Sequence, residues 1–115
     1  MESVLVTLFQ SRDFAHFKHL ETDSYSAHKA LQHYYEDVID VLDTYAELLM
    51  SNGQKIRCPK SIEIPEKDAV VYFEAFGNTL NTLTKDTSMR EDLRQCLIDA
   101  LTLVNTLLYK LKGLK

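Results

Sequence analysis

His16-Phe17-Lys18-His19-Leu20-Glu21, then Thr22-Asp23-Ser24, then Tyr25-Ser26-Ala27-His28-Lys29-Ala30-Leu31-Gln32 and on to Asp43-Thr44-Tyr45-Ala46-Glu47: this stretch decides the fold. It contains no Gly and no Pro. Upstream of the Thr22-Asp23-Ser24 break, Leu5, Leu8, Phe9, Arg12, Ala15, His16 and His19 recur at three and four, which predicts a helix over 3–21. Downstream, Asp23 or Ser24 is placed to cap a second helix by accepting a bond from a free backbone N–H. That helix is expected over 25–52, about 40 Å long at 1.5 Å per residue, with Asn52-Gly53 as its stop signal. So short a turn makes the two helices antiparallel neighbours.

On the second helix the apolar positions expected to face the core are Leu31, Tyr35, Val38, Ile39, Leu42, Ala46 and Leu49. Beside them runs a polar stripe of His28, Gln32, Glu36, Asp43 and Glu47, within about 100° of arc. Imidazoles and carboxylates are ligands for a divalent first-row metal. His28 and Glu47 are about 28 Å apart along one helix, so they cannot share a metal within one chain.

Working outward, Gln54 to Pro65 holds both prolines and reads as a long crossing connection. A third helix is expected over 66–84, with Ala69, Tyr72, Phe73, Phe76, Leu80 and Leu83 inward and Gly77 marking a close approach. A fourth is expected over 88–112, opened by a Ser88-to-Glu91 capping box and closed by Gly113. Its stripe is Leu93, Cys96, Leu97, Ala100, Leu103 or Val104, Leu107, Leu108 and Leu111. The expectation is a single all-α domain over 1–115: an antiparallel four-helix bundle, ferritin-like, with the long connection between helices 2 and 3.

Composition narrows the function classes. The 115 residues are 45% hydrophobic and 26% charged, an ordinary globular balance. A formal charge of −4 argues against general nucleic-acid binding; the basic residues between Lys55 and Lys67 are interrupted by acids and read as solvated surface. Two widely spaced cysteines, Cys58 and Cys96, suit a reduced, cytoplasmic setting. Met1-Glu2-Ser3 lacks the basic start of a signal peptide, and no apolar run reaches the length of a membrane span.

The chain has no Glu-x-x-His, the motif of the intrasubunit di-iron site. His16 to Glu47 instead resembles the Dps family, the miniferritins, over about a third of the chain. The resemblance rests on Ala15-His16-Phe17 at the end of the first helix, Tyr25 and His28 after a short turn, and Asp43-Thr44-Tyr45-Ala46-Glu47. It is closer still to small phage-carried Dps-like proteins, through His16-x-x-His19-Leu20-Glu21-Thr22 and Ser24-Tyr25-Ser26-Ala27-His28-Lys29-Ala30-Leu31. At the fourth position after His28, where the family has an acid, stands Gln32, with Glu36 one turn on. Phe17 takes the place of a Trp, and the Lys-rich tail with which the family holds DNA is missing.

The resemblance implies a homo-oligomer, dimer or larger, with a ferroxidase-type centre at a two-fold interface. One subunit would supply His16 and His28, the other Asp43 and Glu47; His19, Gln32 and Glu36 are further candidates. The bound group would be iron or another divalent first-row metal. The alternative is a phage-type accessory bundle that keeps the fold without the metal chemistry and serves a structural or partner-binding role. There, the histidines are partly buried packing groups and the acids a solvated edge. A third reading, a helical ribonuclease of the HEPN type, rests on the spacing of Arg12 and His19 alone. His33 points away from the stripe and reads as surface, and Tyr34, Tyr35 and Tyr45 as packing or interface residues.

Overall fold

The computed structural model describes residues 2–113, without the side chain of Glu2. Four helices form: α1 (Glu2–Glu21), α2 (Tyr25–Ser51), α3 (Ala69–Thr84) and α4 (Glu91–Gly113). There is no strand among the described residues. No helix is long and apolar enough to cross a membrane.

The helix ends follow local hydrogen bonding. Ser24 caps α2: its Oγ accepts from Ala27 N at 3.2 Å. At the other end Gly53 takes φ +89°. Its N–H bonds the Met50 carbonyl, and Gln54 N bonds Leu49 O. That is the paired bonding of a Schellman stop, and it needs a residue that tolerates the left-handed region.

Two helices begin three residues later than their sequence suggests. α3 starts at Ala69 rather than 66, because the Asp68 carboxylate accepts from Val70 N and Val71 N and ends the helix there. α4 starts at Glu91 rather than 88. Ser88 does not cap it, since its N–H and Oγ both bond Asp86 Oδ1, forming a turn upstream. Those two bonds hold the Asp86 carboxyl below its usual range, the side-chain bond most strongly. Gly113 is helical rather than a stop.

α2 packs on α1 and on α4, and α4 packs on α3. α1 and α3 meet through aromatic rings: Phe14 stacks on Tyr72 with centroids 3.9 Å apart and meets Phe73 edge-on at 5.7 Å. Ser11 meets Tyr34, and Gly77 lies against Val104, so each adjacent pair of helices is antiparallel. α2 and α3 are therefore parallel across the bundle diagonal. Residues 52–68 must travel its length to join them, as the long connection required. That segment has no helix or strand. It is tied down by Gln10, whose amide nitrogen donates to Glu63 O at 2.9 Å while its oxygen accepts from the Tyr72 hydroxyl at 3.0 Å.

The core face of α2 is rotated from the expected one. Ala30, Leu31, Tyr34, Val38, Leu42, Tyr45 and Leu49 are buried, and Tyr35, Ile39 and Ala46 lie at the edge. Tyr34 turns inward because its hydroxyl has a partner there. Ser11 Oγ donates to Leu8 O at 2.7 Å, so the 2.8 Å contact with Tyr34 has the phenol as donor. Burial pushes the Tyr34 and Tyr72 phenols well above their usual range. Tyr34 and Tyr45 therefore do not present themselves for self-association; of the α2 tyrosines, Tyr25 is the exposed one, at 75%. Cys96 is buried as expected and burial raises its thiol; Cys58 is exposed and free.

Candidate functional site

The short turn at residues 22–24 decides the first half of the site. Residues equally far from the middle of such a turn face each other across the two helices, and His19 and His28 are such a pair. His19 Nδ1 lies 2.7 Å from His28 O, and His28 Nδ1 lies 2.9 Å from His19 O. A carbonyl only accepts, so both Nδ1 atoms carry the proton. The rings stack with centroids 3.6 Å apart. The His19 carbonyl belongs to the last turn of α1, where helical partners run out, and the His28 ring supplies one.

His16 stacks on Tyr35 at 4.1 Å, and Tyr35 meets His19 edge-on at 5.3 Å. Three imidazoles and a phenol ring thus line the α1–α2 seam, with His16 6.0 Å from His19. His19 is buried and wedged into the clasp, where the sequence suggested a surface residue or a third ligand. His28 is half-buried; with Nδ1 protonated, its neutral ring keeps the Nε2 lone pair for a ligand. His16 has ring contacts but no hydrogen-bond partner among the described residues.

The carboxylate half is built differently. Asp43 and Glu47 are exposed near the far end of α2, with no hydrogen bond or ion pair to any described residue. Gln32 is half-buried, and its amide nitrogen lies 3.4 Å from Glu36 Oε2, so the two neighbours are satisfied by each other. The fold brings His16 and His28 to one end of the seam and leaves Asp43 and Glu47 at the other. Among the described residues no group of three His, Cys, Asp or Glu gathers where it could hold a metal ion.

The nuclease reading loses its geometry. His19 is buried and bound to a carbonyl, and Arg12 Nη1 bonds Asp13 Oδ1 at 3.1 Å while Arg12 Nε is buried without a partner among the described residues. His33 is exposed as expected, 3.4 Å from Lys110 Nζ. The clasp and the His16–Tyr35 stack were missed by sequence reasoning. The equal spacing of His19 and His28 about the turn was the signal for the clasp.

Residues 19–111 match a family of unknown function, DUF5856. The chain belongs to that family. The DUF5856 match takes in the clasp, all of α2 and α3 and nearly all of α4; most of α1, with His16, lies before it. No curated protein and no solved structure is significantly similar to the chain.

Proposed function

We propose that two copies of this chain share a divalent first-row metal, iron foremost, between the histidine end of α2 in one copy and its carboxylate end in the other. The observation that carries the reading is a symmetry within α2. His28 with Glu47, and Gln32 with Asp43, are both centred on the same point, midway between Asp37 and Val38. An antiparallel α2 from a second copy, related by a two-fold axis at that point, sets His28 beside Glu47 of the other chain and Gln32 beside its Asp43. A single register thus completes two equivalent sites.

The residues fit such a metal in their chemistry. His28 offers Nε2 because its Nδ1 proton is committed to a carbonyl, which also orients the ring. Asp43 and Glu47 are exposed, ionisable and unpartnered. His16, held against Tyr35, is the second nitrogen donor of the set implied by the resemblance to Dps proteins. Ferrous iron bound there would supply a redox centre able to react with oxygen or peroxide. The chain's own part is to fix the imidazole tautomer and to hold the carboxylates ready on a rigid helix. Free thiols at Cys58 and Cys96 suit a cytoplasmic setting for it.

Gln32 favours a second reading, a structural or partner-binding bundle without metal chemistry. It stands where an acid is expected, and its amide is engaged with Glu36. Anaerobic loading with ferrous iron, followed by metal analysis and exposure to oxygen, separates the two. Binding and oxidation that disappear in His28→Ala and in Asp43→Ala support the metal site. An intact oligomer that retains no iron supports the second reading.

A further inference from the structure

The outward side of α2 carries charge of one sign. From Ala30 to Gln54 there is no Lys and no Arg, and Glu36, Asp40, Asp43 and Glu47 lie on the same side as His28 and Gln32. All four acids are exposed, and none forms an ion pair with a described residue. The nearest charged groups on α1 are Arg12 and Asp13, which pair with each other. Two such helices side by side bring eight carboxylates within about a Debye length of their neighbours, roughly 10 Å at moderate salt.

A second feature of α2 points to another copy of the same helix as its partner. Tyr25 and Met50 are large apolar side chains left exposed, at 75% and 49%. They too are centred midway between Asp37 and Val38, and they lie on the same side of α2 as Gln32 and Asp43. The register that joins His28 to Glu47 of a second copy therefore puts Tyr25 against Met50 of that copy, at both ends of the seam. A thioether on an aromatic ring is a favourable contact. Between these ends, Tyr35, Ile39 and Ala46 are already half-buried within their own chain, which leaves little fresh apolar area to oppose the repulsion.

We infer that the α2–α2 dimer is gated by the cation: without a divalent metal the acidic seam keeps the chains apart, and metal bound by the shared ligands closes it. The inference rests on the metal reading above and adds a regulation to it. Apolar contacts at the two ends select the register, and charge neutralisation between them decides whether it forms. The protein is then an assembly that responds to free divalent metal, as well as one that holds it.

Sedimentation velocity of the full chain at micromolar concentration tests this, first in chelator and then with Mn(II), with bound manganese measured in parallel. The expected result is a monomer in chelator and a dimer with Mn(II), the dimer dissociation constant falling at least about tenfold. Asp40→Lys touches no proposed ligand and reverses one seam charge per copy, so it should dimerise in chelator. Tyr25→Ser should require more Mn(II) for the same dimer fraction. A wild-type dimer of equal affinity in chelator and in Mn(II) overturns the gating while leaving the metal reading standing if manganese is bound. A monomer that binds manganese overturns it as well, because the site is then not shared. A chain that takes up no manganese defeats the metal reading itself, and the gating with it.

Discussion

The two ends of α2 carry similar numbers of polar groups and treat them in opposite ways. At the N-terminal end His28 is locked: its Nδ1 proton on a carbonyl, its ring on His19, and His16 nearby on Tyr35. At the C-terminal end Asp43 and Glu47 stand in solvent without a partner. Unpaired carboxylates on an exposed helix cost little while water solvates them, and they gain only when a cation arrives. One end is therefore finished by the chain's own folding, and the other waits for something outside it. Stability and function should separate along the same line.

Several substitutions would break that contrast or sharpen it. His19→Ala removes a buried ring and both of its clasp contacts, and should cost about 2–4 kcal/mol in denaturant unfolding. A loss below about 0.5 kcal/mol, the range of a neutral surface change, would mean that the histidine end is no more built than the carboxylate end.

Alkaline pH probes the buried phenols next to the same seam. Burial raises Tyr34 and Tyr72, so the unfolded chain gives up these protons near pH 10 while the folded chain keeps them. Their stabilising effect is complete below about pH 10 and is lost as pH rises beyond it, at about 1.4 kcal/mol per pH unit for each phenol. Tyr34→Phe should flatten that decline in a series of unfolding curves. At neutral pH the same variant should cost about 1 kcal/mol, because Ser11 loses the bond donated to it.

Gly77→Ala should be mildly stabilising, by up to about 1 kcal/mol, since Ala favours a helix interior. A Cβ there would meet Val104 Cγ1 at 3.4 Å, an ordinary contact. The smallest effect belongs to the carboxylate end. Asp43→Ala and Glu47→Ala should change unfolding free energy by no more than about 0.5 kcal/mol, yet each should abolish metal binding. A large destabilisation by either would show that the carboxylate end also has a partner inside the chain.

Much of this architecture was legible in the residues. The apolar recurrence at three and four, the Thr22-Asp23-Ser24 break and the pairing of Asn52 with Gly53 placed α1 and α2 almost to the residue. Both prolines lie in the segment that became the crossover. Helix starts were harder to read where one acid outcompeted a sequence pattern: Asp68 for α3, and Asp86 by drawing Ser88 away from α4. The phase of α2 was misread for a tertiary reason. Tyrosine suits either an edge or a core, and what turned Tyr34 inward was Ser11 on another helix, which periodicity along α2 does not register. His19 was hidden in the same way, since its burial depends on a facing carbonyl.

The central claim is that the two halves of the site belong to different copies, and complementation between variants tests it most directly. His28→Ala chains keep their carboxylates and Asp43→Ala chains keep their imidazoles; alone, neither should bind metal. Mixed in equal amounts under dimer-forming conditions, half of the dimers should be hybrids with one intact site of two, restoring about one quarter of wild-type metal uptake. No restoration from two variants that fold and associate would contradict a shared site.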